Sequence, residues 1–382
     1  MFEELTNNFL IAPGIRHNDC KNRYTKSFPF LDYSSLRFEK GVKKILQNTL
    51  SSNAVWEPVA KGELTGNSGD AQVFKVIDQD EIYYLKFTTS SKVQLAMLIA
   101  YHYLKERPHP FCTTAKIVSH GTVAFRKNRE LFFMLLTKAE GEDLSTAFKG
   151  DDSKRISSFV ETVGKVFAYN HSTYVSKANQ QEKFFYATRK YNTLLEDLYN
   201  IRKKTDLDRS LDFGIQKAVP WIIESEINYL AKPQVQSLSL GPIKIWNLAF
   251  SDLIGKISIF DTTDILKYFA PSKNPQWSPE ADFATFLHHL DNLETLFNLE
   301  PAIIDGYKDK FLEAYYRNVS RPIMSKEGLR FFLTQRYLSH FKKYIHKSHK
   351  QNRFQEKALS ILSQCEELHK KQSPKMDKLL GF

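Results

Sequence analysis

Three short stretches of this 382-residue chain gather residue types that do chemistry. The turn cluster TGNSGDA carries Gly66, Ser68 and Gly69 between two β-prone runs. Glycine lets backbone N–H groups approach an anion, because no Cβ stands in the way, and an ordinary hairpin tip uses glycine in the same manner. Lys86 lies at the end of the run EIYYLKF, where a lysine either meets an anion or reaches into water. Asn247 and Asp261 stand fourteen positions apart across IKIWNLAFSDLIGKISIFD. Both carry oxygen donors of the kind a hard divalent cation takes, and taken singly each is also an ordinary polar group at a turn or strand end.

Those residues need elements to hold them. WEPVAKGEL, AQVFKVID and EIYYLKF are rich in Val, Ile, Phe and Tyr and read as three hairpin-linked strands, with Gln79-Asp80 as the second turn. Lys92 to Leu104 has helical length and an apolar face, and AKIVSHGTVAF and ELFFMLLTKAEG read as two more strands. The order is five strands with one helix after the third. From Gly141 the pattern turns helical: Ile156 to His171 places Phe159, Val163, Val166 and Phe167 at core spacing. Gln181 to Asn200, Val219 to Leu230 and a helix from Asp282 to Leu290 follow, interrupted by the hairpin IKIWNLAF, SDLIGK, ISIFD. Ahead of the strands, Phe38 to Leu50 is the best helical candidate.

Composition agrees with a folded protein long enough for two domains or two lobes. Hydrophobic residues make up 42% and charged residues 25%, and 29 phenylalanines argue against extended disorder. No apolar run approaches the roughly 18 residues of a membrane span, and MFEELTNNFL lacks the basic and apolar regions of a secretory signal. Cys20, Cys112 and Cys365 are far apart, which speaks against a zinc site or a disulfide framework and makes a reducing cytoplasm the expected compartment. The formal charge is +11, and Lys326 to Lys378 alone carries 13 Lys/Arg against 5 Asp/Glu. Its segment FKKYIHKSHKQNRF mixes aromatics with cations. Such a helix either meets an anionic membrane surface or nucleic acid, or buries its aromatics in the fold and leaves its lysines solvated.

The stretch from Trp56 to Tyr316 resembles the aminoglycoside phosphotransferase and choline kinase family. GELTGNSGDAQVFKVIDQDEIYYLKF is similar to that family's glycine-rich strand–turn–strand followed by a strand ending in lysine, and FFMLLTKAEGEDLSTAF to its hinge strand and G-x-x-L. VGKVFAYNHS resembles the helix that ends in Leu-His, SLGPIKIWNLAFSDLIGKISIFDTTD the H-G-D-x-H-x-x-N hairpin with its metal aspartate, and PEADFATFLHHL the D-P-x-x-D-L-A helix start. The resemblance implies an α+β, bilobal protein kinase-like fold with a small five-stranded N-lobe and a larger, mostly helical C-lobe. Boundaries follow as a helical extension at 1–55, an N-lobe at 56–140, a C-lobe at 141–323 with an acceptor-binding insert near 181–233, and a basic helical segment at 324–382. It further implies ATP and Mg²⁺ as cofactors. Gly66, Ser68, Gly69 and Lys86 would meet the phosphates, the backbone from Thr137 to Ala139 the adenine edge, Asn247 and Asp261 the metal, and Lys244 the transferring γ-phosphate. Asp282 would hold the catalytic segment or cap its helix.

The chain departs from the family pattern at two places. Leu240 takes the position of the first histidine and Pro242 that of the catalytic aspartate, so the group that activates the acceptor hydroxyl is missing. Asp252 and Asp264 are substitutes by proximity in sequence. Gln94 takes the position of the glutamate that pairs with the lysine, leaving Lys86 without its ionic partner. The implied activity is phosphoryl transfer to a small-molecule hydroxyl through an atypical site. A pseudokinase that binds nucleotide or a partner without catalysis is the alternative, and nucleotidyl transfer on the same fold a further one. The positive charge tilts the unidentified acceptor toward anionic molecules.

Overall fold

The alternating Phe, Val, Ile and Tyr residues of the N-terminal third pair into one antiparallel sheet in the computed structural model. It describes residues 36–59, 71–88, 91–126, 129–150, 152–177, 194–203, 208–232, 234–240, 243–259, 276–348, 352–370 and 373–381. Helix α1 (Leu36–Gln47) precedes strands β1 (Val55–Pro58), β2 (Ala71–Asp78) and β3 (Glu81–Thr88). Helix α2 (Ser91–Glu106) follows, then β4 (Cys112–Thr114), β5 (Ile117–Arg126) and β6 (Arg129–Thr137). The five-stranded sheet runs β1-β2-β3-β6-β5. Gln79 (φ 49°) and Asp80 (φ 68°) both adopt the left-handed region at the β2–β3 turn, the geometry whose twist matches that of the flanking strands.

Period-two alternation gives the sheet two faces. Phe74, Val76, Leu85, Phe87, Leu131 and Leu135 are buried on one face against Val42, Ile45 and Leu46 of α1. Edge-to-face contacts of Phe74 with Trp56 (5.3 Å) and Phe87 (5.8 Å) lie in this layer, each adding about 1 kcal/mol beyond burial. On the other face Met134 and Leu136 meet Met97 of α2 and Ala115. Lys86 stands opposite Met134 in the β3–β6 register, so it belongs to the α2 face.

A second, four-stranded sheet has the order β4-β11-β10-β7, formed with β7 (Glu142–Asp143), β10 (Leu248–Ser251) and β11 (Lys256–Ile259). The hairpin expected from IKIWNLAF and ISIFD is β10–β11. Sequence reading did not anticipate the parallel pairing of β11 with β4. After β7 come α3 (Leu144–Lys149) and α4 (Ser153–His171), where Phe159, Val163, Val166 and Phe167 are buried as their spacing requires.

By its contacts the chain divides into two compact units. One draws on Met1–Phe159 and Lys244–Lys273, the other on Val160–Ile243 and Asn274–Phe382. The second unit holds a small sheet, β12-β9-β8, made of β8 (Ser176–Lys177), β9 (Val235–Leu238) and β12 (Gln276–Trp277). Its helices are α5 (Arg209–Ala231), α6 (Pro279–Asp291), α7 (Leu293–Phe297), α8 (Pro301–Asn318), α9 (Lys326–Ser348), α10 (Asn352–His369) and α11 (Pro374–Leu379), together with helical residues 194–203. Phe167, Phe283, Phe286 and Phe311 form an aromatic centre, and His171 packs against it with Nδ1 2.9 Å from the Tyr315 hydroxyl. Burial holds His171 neutral, its pKa pushed down to about 3.

One expected boundary was wrong. The helix read as starting at Val219 begins at Arg209, capped by Asp208 accepting from Ser210 N–H at 2.8 Å, with Pro220 inside it. The basic C-terminal segment is helical as expected and spends its aromatics in packing. Phe341, Tyr344 and Ile345 are buried, Lys342 pairs with Asp197 and Lys357 with Glu294. Among the described residues no helix is long and apolar enough to cross a membrane.

Candidate functional site

Several of the residues singled out by sequence fall within the first unit. Lys86 sits on β3 between Val73 of β2 and Met134 of β6 in register, half-buried, and no described carboxylate pairs with it. Gln94, on α2, does not turn to Lys86. Its Nε2 donates to the Gly121 and Phe133 carbonyl oxygens, both at 3.0 Å. Those two residues are cross-strand partners on β5 and β6, so one side-chain amide ties the helix to two strands.

The segment after β6 is bound on both sides. Thr137 N–H donates to Lys116 O at 2.9 Å, and Thr137 Oγ1 accepts from Lys116 N–H at 3.0 Å. Lys138 N–H donates to Ile82 O at 3.0 Å, while Ala139 N–H donates to no described backbone carbonyl. Glu140 O accepts from Ser258 Oγ at 2.7 Å. Gly141 then turns at φ +97°, with its Cα so near β10 that a Cβ would lie 2.4 Å from the Phe250 carbonyl carbon and oxygen. β7 follows and pairs with β10 through Ala249↔Asp143 and Phe250↔Glu142. The segment from Thr137 to Gly141 is thereby stitched onto the hairpin.

The hairpin carries Asn247 at its root. Lys244 leads into a 3-10 turn, Ile245–Asn247, closed by Asn247 N–H donating to Lys244 O at 2.9 Å. Ile243, Ile245 and Leu248 are buried and fix the turn, and both Lys244 and Asn247 are half-buried. β10 pairs with β11 from Leu248↔Ile259 to Ser251↔Lys256. Arg155 of α4 clasps the hairpin: Nη1 pairs with Glu142, Nε lies 3.4 Å from Asp252, and Nη2 donates to Phe250 O at 3.2 Å. Asp252, a sequence candidate for the missing base, is thus an ion-pair partner near the hairpin turn.

In the second unit, Asp282 is buried on α6 and lies 2.5 Å from Ser239 Oγ, in the segment that leads toward Leu240. The bond ties α6 to the segment after β9 at Ser239. The cap belongs instead to Ser278, whose side chain accepts from Ala281 N–H. Burial pushes the Asp282 carboxyl up to about 7, with the Ser239 bond and the Arg336 charge pulling the other way. Glu280, fully buried, accepts from Ser278 Oγ (2.7 Å), Ser325 N–H (2.8 Å) and Ser325 Oγ (3.0 Å), which joins the starts of α6 and α9. Burial raises its pKa as well.

Gly66, Ser68, Gly69, Gly241, Pro242, Asp261 and Asp264 lie outside the described residues, as do residues 181–193 of the expected insert, the N-terminal 35 residues and Cys20. Asp261 follows the last residue of β11, Ile259, by two positions in sequence. The described residues contain no cluster of three His, Cys, Asp or Glu side chains that could hold a metal ion. Sequence reading singled out Gly141 within its G-x-x-L but missed Arg155 and Ser258 as the pieces that join this segment to the hairpin. Gly141 had a signal, since a lone glycine after an apolar strand marks a turn. Arg155 and Ser258 had none, because their partners are remote in sequence.

No family model matches this sequence, and no curated protein does. Solved structures do. A glucosamine kinase in complex with glucosamine, ADP and inorganic phosphate superposes with a TM-score of 0.52 at 11% identity, covering 88% of this chain and 84% of that one. Spectinomycin phosphotransferase APH(9)-Ia, with ADP and spectinomycin, gives 0.50 at 12% identity over 90% and 97%. A thermostable mutant of aminoglycoside phosphotransferase APH(4)-Ia, with AMP-PNP and hygromycin B, gives 0.51 at 11% over 86% and 97%. At such identities the likeness speaks to the fold, and this chain has the α+β, kinase-like fold of the aminoglycoside phosphotransferases.

Proposed function

We propose that this chain binds ATP with Mg²⁺ and transfers the γ-phosphoryl group to a hydroxyl of a small molecule, through a site altered at Pro242 and Gln94. The observation that carries the reading is the arrangement within the first unit: Lys86 on the α2 face of β3, and a hinge stitched to the hairpin that Asn247 opens. The similar solved structures support it, since they hold ADP or AMP-PNP beside hygromycin B, spectinomycin or glucosamine.

In this reading the Lys86 ammonium binds the phosphate chain, with Gly66, Ser68 and Gly69 adding backbone donors. The adenine edge meets the hinge from Thr137 to Ala139. Thr137 and Lys138 N–H are already given to Lys116 and Ile82, so Ala139 N–H is the hinge donor left for the base. Asn247 and Asp261 offer one amide and one carboxylate oxygen, a hard donor set that suits Mg²⁺ with phosphate oxygens completing its shell. Bound there, Mg²⁺ would supply positive charge against the charge developing on the transferring group. Lys244 steadies that group from the start of the 3-10 turn. The acceptor oxygen bonds to the γ-phosphorus as the bond to the ADP oxygen breaks, and the hydroxyl proton leaves to solvent, because Pro242 has no basic atom to take it. A positioned base is worth roughly 10²- to 10⁴-fold, so the reaction runs slowly.

Calorimetry with ATP, with and without Mg²⁺, tests this reading. Mg²⁺-dependent binding is expected, weakened at least about tenfold in Lys86→Met, the loss of one charge-assisted contact. A wild-type chain that binds no nucleotide in either condition sinks it. The absence of an acid–base group at Pro242 and the diversion of Gln94 to backbone carbonyls favour a second reading, a pseudokinase that binds nucleotide without turnover. Pro242→Asp separates the two: turnover rising about 10²-fold or more marks a catalytic site lacking only its base, and unchanged inactivity marks a binding module.

A further inference from the structure

Helix α2 packs on the sheet face that carries Lys86, and Gln94 is its polar anchor there. The single Nε2 of Gln94 has two hydrogens and meets two carbonyls, Gly121 O and Phe133 O, at equal 3.0 Å distances. A carboxylate could not make this contact, since it has no hydrogen to offer and two carbonyl oxygens would repel it. Lys86 pairs in register with Met134, the residue after Phe133, so by strand spacing the amide lies roughly 5–10 Å from the lysine's strand position. No described carboxylate divides the Lys86 charge.

Resting on the nucleotide-site reading above, we propose that Gln94 is a positioning residue: it fixes α2 on the sheet with uncharged hydrogen bonds and so leaves the full Lys86 charge to an anionic ligand of the phosphate class. Anchoring and charge are thereby separate properties of this helix. A glutamine holds the helix whether or not ligand is present, whereas a carboxylate at the same position, turned away from the carbonyls, would seek the lysine and compete with phosphate.

Two substitutions pull these properties apart. Gln94→Met keeps the side-chain length and removes both hydrogen bonds and any charge. It should lower the melting temperature by a few degrees, because two part-buried carbonyls lose their donor. It should leave Lys86 acylation by acetic anhydride within about twofold of wild type, and weaken ADP less than Gln94→Glu does, since no charge competes for the lysine. Gln94→Glu should slow Lys86 acylation severalfold and weaken ADP about tenfold at pH 7.5, with affinity returning as pH falls through the range of an ordinary glutamate. Wild type should show no such recovery. Acylation, read by peptide mass spectrometry without ligand, tests the charge relation even if ADP fails to bind; failure of ADP to bind wild type would count against the nucleotide reading instead. Equal acylation rates in wild type and Gln94→Glu would overturn the proposal. So would a Gln94→Met variant that loses as much ADP affinity as Gln94→Glu.

Discussion

Gly141 is where backbone geometry is least negotiable. A side chain there would need a positive φ of 97° and would place its Cβ inside the Phe250 carbonyl group. Because the obstacle is backbone in a paired strand, it cannot rotate aside. Gly141→Ala should cost at least about 2–3 kcal/mol in urea unfolding, from the φ penalty and the displaced strand together. Asp282 sets a different kind of limit. Its folded pKa of about 7 stands above the 3.8 of an unfolded aspartate, so the folded state binds the extra proton between those values. Stability from this residue is therefore complete below pH 4 and falls as pH rises through 7. Asp282→Asn should be more stable than wild type at pH 8, by up to about 4 kcal/mol, and the gap should close near pH 4. A difference that grows toward acid would contradict the assignment. Lys86, Asn247 and Asp282 stood out through the order of motifs along the chain, because each residue type alone is an ordinary polar group at a strand or helix end. That order gave no notice of what Gln94 contacts, since an amide suits carbonyls anywhere.

The legible elements were those whose pattern is local. The β2–β3 hairpin announced itself through two flanking β-prone runs and a two-residue turn, and α4 through the spacing of Phe159, Val163, Val166 and Phe167. The start of α5 was not legible at Val219: the helix runs through Pro220, a residue type found more often in a helix's first turn. Inside α5 it removes one backbone donor, and Asp208 starts the helix a dozen positions earlier. β4 was not legible at all: three residues have no period, and their partner strand lies far along the chain. The Arg155 clasp also belongs to this scale, since it ties α4, β7 and the β10–β11 hairpin together. Arg155 is mostly buried while Glu142 and Asp252 are largely exposed, so each ion pair is worth about 0.5 kcal/mol after screening. Arg155→Ala should cost about 1–2 kcal/mol in all, counting the lost bond to Phe250 O. The loss should shrink only modestly at 1 M NaCl, because salt weakens the ion pairs and spares the carbonyl bond.

At the scale of the molecule, the C-terminal helix α11 completes the second unit. Met376 and Leu379 are buried, Lys375 donates to the Tyr337 hydroxyl at 3.1 Å, and that hydroxyl donates to Asp291 at 2.9 Å. Asp291, also paired with Lys308, is held below the usual carboxylate range by the Lys308 and Lys375 charges against the opposing effect of burial. Removing residues 374–382 takes away this packing and one of the two lysines beside Asp291. The truncated chain should melt several degrees lower, with a loss of about 3–5 kcal/mol by chemical denaturation.

The pairing of β4 with β11 sets a timetable for synthesis. Thr114 Oγ1 donates to Ile259 O across 145 positions of sequence. Between those strands the chain makes the whole of Val160–Ile243, which belongs to the other unit. A ribosome must therefore emit the first stretch of a second folding unit, Val160–Ile243, before the first unit can close, and bringing such remote ends together costs about 4 kcal/mol of chain entropy. Nascent chains arrested before residue 259 should hold the five-stranded sheet as a protease-resistant core, yet lack the hairpin on which Asn247 depends.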